Sequence, residues 1–176
     1  ISFNPFFVED YVYPEEKMAQ LLSLICILWK NEHEEISKAE ETQIETALNL
    51  YIRMICDNRK EFPCFNSFYN FLSHNFKKKV IEEKVRIENF DIENLLQVLS
   101  PFAKGGKYDY LLNSTEKVDL LHKRFIVFEL DNIKDHKVLF PIVTIVLMDT
   151  FLSKMRRLNF NEKKNILIEE AWKAIS

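Results

Sequence analysis

The sequence predicts a mainly α fold in two parts: a helical subdomain over residues 1–115 and a partial α/β piece of βαβ form over residues 116–176. Three observations carry that reading. Apolar residues in the first two thirds recur at the 3.6-residue spacing of amphipathic helices. The pattern then changes to two short, nearly continuous apolar runs, Phe125–Leu130 and Ile166–Ile168, separated by a further helical stretch. At 176 residues and 47% hydrophobic composition, the chain also has enough apolar material for a real core.

The elements follow in order. Pro14 suits a first-turn position, and Leu21, Leu22, Ile25, Leu28 and Trp29 form one apolar stripe behind it. The polar, acidic segment Asn31–Glu35 ends this helix. Ser37 and Glu40 have capping-box spacing and open a helix whose Ile44, Ala47, Leu48, Tyr51, Ile52 and Ile55 share a face. Pro63 interrupts, and Asn66 or Ser67 is positioned to cap a third helix bearing Phe68, Tyr69, Leu72 and Phe76. Another helix follows Asp91, with Ile92, Leu95, Leu96 and Leu99 on one face; Pro101 stops it and Gly105-Gly106 turns the chain. No segment repeats at a fixed period.

Phe125–Leu130 then reads as a strand buried on both faces, and Asp131–Asp135 as a polar connection. Asp135 is placed to cap a long helix with Leu139, Ile142, Val143, Val146, Leu147, Thr150 and Phe151. Those residues occupy more than one side, which predicts deep packing. Pro141 falls near the start, and Arg156 and Arg157 fall near the end, where cations suit the helix dipole. Ile166–Ile168 is the second strand candidate, and Ala171–Ala174 begins another helix. A βαβ unit belongs to a parallel sheet with right-handed connection. Two strands do not make a stable sheet alone, so the remaining strands are expected outside these residues.

Composition excludes several functions. The only glycines are Gly105 and Gly106, so the chain holds neither a G-x-x-x-x-G-K-[ST] phosphate loop nor a G-x-G-x-x-G dinucleotide fingerprint. A net charge of −3 gives no global basic field for nucleic acid. The local runs Lys77, Lys78, Lys79 and Lys154, Arg156, Arg157 read as solvated helix ends. Cys26, Cys56 and Cys64 form no C-x-x-C and sit in apolar or amphipathic runs, as buried free thiols do in a reducing compartment. The apolar stretches Leu21–Trp29 and Val138–Met148 fall short of the about 18 residues that span a bilayer. The chain opens on Ile1, not on Met, and both ends are expected to continue into something longer.

In open parallel sheets, ligands bind beyond the carboxyl ends of the strands. Acids stand at both such ends: Glu129 and Asp131 after the first strand candidate, Glu169 and Glu170 after the second. An apolar strand, two adjacent carboxylates and then a helix is the form of a Walker B strand. The buried strand fixes the carboxylates at the sheet edge. Glu169 would hold Mg²⁺ through water, and Glu170 would orient the water that attacks a γ-phosphate. The plainer alternative is a strand ending at solvent, with acids favouring the next helix's N-terminus.

The segment Ile166-Leu167-Ile168-Glu169-Glu170-Ala171-Trp172-Lys173 resembles the Walker B stretch of the conjugation and type IV secretion ATPases, apolar residues followed by D-E-A-W. Further matches point to the conjugative-transposon TraG type. They are Phe3-Asn4-Pro5-Phe6 leading to Tyr11-Val12-Tyr13-Pro14; Pro101-Phe102 with Gly105-Gly106 and Tyr108–Asn113; and Arg124–Ile133. The resemblance implies a RecA-like P-loop NTPase core with a helical subdomain inserted between its Walker A loop and Walker B strand. This chain would be that insertion with flanking core segments, with the Walker A motif before Ile1. The parent would hydrolyse ATP with Mg²⁺ to power conjugative DNA transfer, and this fragment, holding half the phosphate site, would be inactive alone. The resemblance further implies partners in the type IV secretion and conjugation machinery and a homo-hexameric parent. It places the parent in the cytoplasm, at the cytoplasmic face of the bacterial inner membrane. One residue departs from the pattern: Glu169 stands where aspartate is usual, so metal contact must accommodate an extra methylene.

Other residues have structural readings. His33, His74, His122 and His136 lack metal-ligand spacing with the cysteines, and Cys64 has no activating base nearby in sequence. Tyr108 and Tyr110 with Lys104 and Lys107 offer stacking on single-stranded nucleic acid, but a turn explains the same residues. The aromatic stripe Phe65, Phe68, Tyr69, Phe71, Phe76 reads as core. The alternative function is a helical protein-interaction module without catalytic duty.

Overall fold

The computed structural model describes residues 2–8, 10–30, 34–115, 123–136 and 139–157, with Lys163, Asn165 and Leu167 beyond them. The described residues form α-helices α1 (Glu15–Trp29), α2 (Lys38–Asp57), α3 (Phe65–Phe71), α4 (Lys77–Glu82), α5 (Ile92–Leu99), α6 (Asp109–Leu112) and α7 (Leu139–Arg157). A π-helical turn, Leu72–Phe76, joins α3 to α4, and a 3₁₀ turn, Ser100–Phe102, follows α5. No described helix is long and apolar enough to cross a membrane.

Caps explain where the helices start. Pro14 sits one residue earlier than the sequence suggests, just outside α1, and its carbonyl accepts the Lys17 and Met18 N–H groups at 2.9 and 3.1 Å. The α2 capping box is formed: Ser37 Oγ accepts from the Glu40 amide at 3.3 Å and Glu40 Oε2 accepts from the Ser37 amide at 2.9 Å. At α3 the cap differs from expectation. Cys64 takes the capping position, and Ser67 Oγ reaches back to accept its N–H at 3.0 Å. Asp91 caps α5 by accepting from the Asn94 amide at 2.9 Å. The side-chain bond at the start of α7 comes from His136, not Asp135: His136 Nδ1 accepts the Leu139 N–H at 3.2 Å. Pro141 lies in the first turn, where its missing N–H leaves no helix bond unmade.

Glu40 also pairs with Lys30 Nζ at 2.7 Å, tying the end of α1 to the start of α2. Partial burial works against its charge, but the bonds from Lys30 and Ser37 outweigh it and hold the carboxyl below its usual pKa. A lowered folded pKa gives stability that is present above the unfolded value and lost as pH falls through the folded one. Urea unfolding across the acid range tests this. Glu40→Gln is expected to cost about 0.5–1 kcal/mol at neutral pH and to remove this part of the acid dependence.

α1 lies at the centre, packed against α2, α5 and α7. Phe6 is fully buried among Tyr51 of α2 and Phe65 and Phe68 of α3. The aromatic stripe of α3 is therefore core, as its spacing predicts. Trp29 closes the other end of α1, donating to Asn94 Oδ1 at 2.7 Å and meeting Phe90 edge-on. Tyr51 OH and Ser67 Oγ, 2.5 Å apart, share a buried hydrogen bond, and burial pushes the Tyr51 pKa well above its usual value.

Two expectations change in the last third. α7 buries Ile142, Val143 and Val146 but leaves Met148 and Leu152 exposed, so its packing is one-sided among the described residues. The βαβ unit is not seen. Among the described residues there is no strand, and Phe125–Leu130 follows an irregular path. Its exposure alternates: Ile126, Phe128 and Leu130 are half-buried, whereas Phe125 is 85% and Val127 70% exposed. Period-two alternation is the side-chain pattern of an extended segment with one face covered. A strand also needs a hydrogen-bonded neighbour, and no described residue provides one.

Candidate functional site

Glu169 and Glu170 lie outside the described residues, as do His33 and His122. Leu167, the described residue nearest the two acids, is 90% exposed rather than buried in a sheet. The other pair of strand-end acids is placed. Asp131 N–H donates to Glu129 Oε1 at 3.0 Å, and Lys134 Nζ pairs with Asp131 Oδ1 at 3.1 Å. With Ile133 N–H on Leu130 O and His136 N–H on Ile133 O, both at 2.9 Å, these acids close an exposed turn. No group of three metal-capable side chains occurs among the described residues.

What the structure does assemble is the set of motif residues spread along the chain. Asn4 Nδ2 donates to Pro63 O at 2.9 Å and to Ser114 O at 3.2 Å. Phe3 pairs by backbone with Leu111 O at 2.8 Å and with the Ser114 amide at 3.0 Å. Asn113 Nδ2 donates to Phe102 O and Asp109 O at 2.9 and 2.8 Å, and its Oδ1 accepts the Asn66 N–H at 2.7 Å. Asn66 Oδ1 accepts from Lys104 N–H at 2.9 Å, and Asp109 Oδ2 from Gly105 N–H at 3.0 Å. These bonds clamp residues 2–8, the start of α3 and residues 101–114 into one polar knot. Asn66 is the member the sequence reading missed. Its sequence position suggests only a cap, and its partner lies 47 positions away, beyond any local pattern.

Both glycines belong to this knot. Gly105 has φ +85°, a left-handed conformation that residues with a Cβ rarely adopt. At Gly106 a Cβ would lie 2.3 Å from Pro101 O and 2.7 Å from Ser100 O, so the backbone itself occupies the space. Gly106→Ala is expected to destabilise the fold by about 1–3 kcal/mol, the range for overpacking. Gly105→Ala, with open space around its Cβ, carries only the conformational cost of about 1–2 kcal/mol. Chemical denaturation of both variants checks the order.

Most of the remaining candidates are engaged structurally, whereas the Tyr110 side chain is 54% exposed. Tyr108 stacks on Phe102 with centroids 5.3 Å apart, meets His136 edge-on and carries Lys107 Nζ at 5.1 Å, so its ring is committed to the knot. His74 Nδ1 lies 2.9 Å from both Asn70 O and Ser73 Oγ. Cys56 Sγ lies 3.3 Å from Tyr11 O. Burial, then Glu41 and Glu40, push the Cys26 thiol up to about 11, far from the thiolate a nucleophile needs.

The family model described as the TraG P-loop domain matches residues 1–176. No curated protein and no solved structure matches the chain.

Proposed function

The chain belongs to the TraG P-loop domain family, and on that premise we propose that it is the part of a conjugation ATPase lying between the phosphate loop and the end of the Walker B strand. The family is one of P-loop NTPases, yet these residues contain no G-x-x-x-x-G-K-[ST]. On this reading the phosphate loop is supplied by residues outside this sequence. The family match over 1–176, together with Ile166–Trp172, carries this reading.

In it, residues 1–115 form a helical subdomain and residues 116–176 a partial RecA-like core. Phe125–Leu130 and Ile166–Ile168 become neighbouring sheet strands once the rest of the core covers them. The bare side chains of Phe125, Val127 and Leu167 are apolar surface of the kind such a sheet buries. Glu169 would hold Mg²⁺ through water; one hard carboxylate together with substrate phosphates suits that ion. Glu170 orients the water that attacks the γ-phosphate of ATP. Turnover drives the helical subdomain against the core and powers DNA transfer through a type IV secretion machine. The parent works as a homo-hexamer at the cytoplasmic face of the inner membrane, held there by partner proteins. The test is ATP turnover by the full-length protein and its dependence on Glu170. A full-length protein that neither binds nor hydrolyses ATP would leave the helical interaction module as the reading.

A further inference from the structure

We propose that the groove between the first turns of α2 and the Lys84–Asn89 turn is a binding site for a phosphate-bearing anion, independent of the ATPase reading. The groove is an open surface depression of about 520 Å³ lined by Lys38, Thr42, Gln43, Lys84, Arg86 and Asn89, with small apolar contributions from Ala39 and Val85. None of the residues lining it is acidic. Arg, Lys, Thr, Gln and Asn are the side chains that bind phosphate oxygens elsewhere, by charge-assisted and neutral hydrogen bonds.

Two acids at the end of the helix that leads into the turn are paired elsewhere. Glu82 pairs with Lys78 at 3.8 Å within α4, and Glu83, just past its end, pairs with Lys79. Glu88 remains in the turn but does not line the groove. Three cationic residues, Lys38, Lys84 and Arg86, among the lining make the groove attractive to an anion.

The turn is held rigidly. Val80 and Phe90 bury its two ends, Lys84 N–H donates to Ile81 O at 3.1 Å, Val85 N–H to Val80 O at 3.2 Å, and Asn89 N–H to Arg86 O at 2.9 Å. Lys84 itself has φ +53°, a conformation that glycine adopts more cheaply. A lysine held there keeps a cation at the groove at the expense of local backbone comfort. That strain separates folding from binding. Lys84→Gly removes the charge and relieves the backbone together.

The experiment is calorimetric titration of the full chain with sodium tripolyphosphate, alongside co-sedimentation with phosphatidylcholine vesicles with and without phosphatidylglycerol. Wild type is expected to bind, more weakly as salt is added. Lys84→Gly is expected to melt no lower than wild type yet to bind about tenfold or more weakly, the loss of one charge-assisted contact. Arg86→Gln, on an exposed side chain, is expected to weaken binding comparably. Tripolyphosphate binding marks a soluble phosphate ligand, and binding to phosphatidylglycerol vesicles alone marks a lipid headgroup. Binding to neither overturns the site. So does binding that both variants retain.

Discussion

Glu170→Gln in the full-length protein is expected to lower ATP turnover by about 10²–10⁴-fold while nucleotide binding persists. The amide has nearly the carboxylate's shape but cannot accept a proton or polarise a water as an anion does. Nucleotide affinity rests on the phosphate loop and Mg²⁺, neither of which Glu170 holds in the proposed arrangement. Glu169→Gln should behave differently. Its loss weakens the Mg²⁺ contact, so turnover falls but partly recovers as Mg²⁺ is raised. Glu169→Asp restores the residue usual in the resembled motif and is expected to keep activity. Turnover measurements over a range of Mg²⁺, with nucleotide binding followed separately, distinguish the two roles. Unchanged turnover in Glu170→Gln removes that residue from the chemistry. Loss of nucleotide binding in the same variant assigns it to folding instead.

Signals confined to a few residues were legible before the structure. Ser37 with Glu40, and Asp91 before Ile92, name their helices because capping partners lie within one turn. The core faces of α2 and α5 follow from apolar spacing alone, since burial on a helix repeats with the helix, whereas on α1 Leu24 is buried and Leu22 is only half-buried. Bonds made across the chain were not legible. Asn66 and Asn113 join segments whose nearness only the fold creates, and Ser67 rather than Asn66 answers Cys64. Phe125–Leu130 has the composition of a strand, but strand formation is a property of a pair. The glycines illustrate both sides. Their number excludes a phosphate loop directly, whereas their role beneath Pro101 O requires the turn in three dimensions.

Phe6→Ala is expected to destabilise the chain by about 3–5 kcal/mol, the range for removing a fully buried phenylalanine. That is a large share of the about 5–15 kcal/mol that holds a domain together. Phe6 has no exposed surface, and its ring lies 5.9 Å from Tyr51, 6.2 Å from Phe65 and 5.3 Å from Phe68, centre to centre. Those neighbours belong to α2 and α3, so a residue of the irregular leading segment plugs the seam between two helices. Its backbone is fixed as well: Phe6 N–H donates to Asn4 Oδ1 at 3.1 Å, and Phe6 O accepts from Tyr13 OH at 2.7 Å. Removing the ring opens a cavity that three other rigid rings cannot fill by small shifts. Phe62, stacked on Phe7 at the surface, is the control, and Phe62→Ala is expected to cost less than about 1 kcal/mol. Equal losses in urea unfolding would sink the plug. A graded series, with Phe6→Leu between wild type and alanine, supports it. Phe6 is thus the anchor that ties the leading segment, residues 2–8, to α2 and α3. Faster proteolysis of the leading segment in Phe6→Ala, with α2 still folded, is the signature of that anchor being lost.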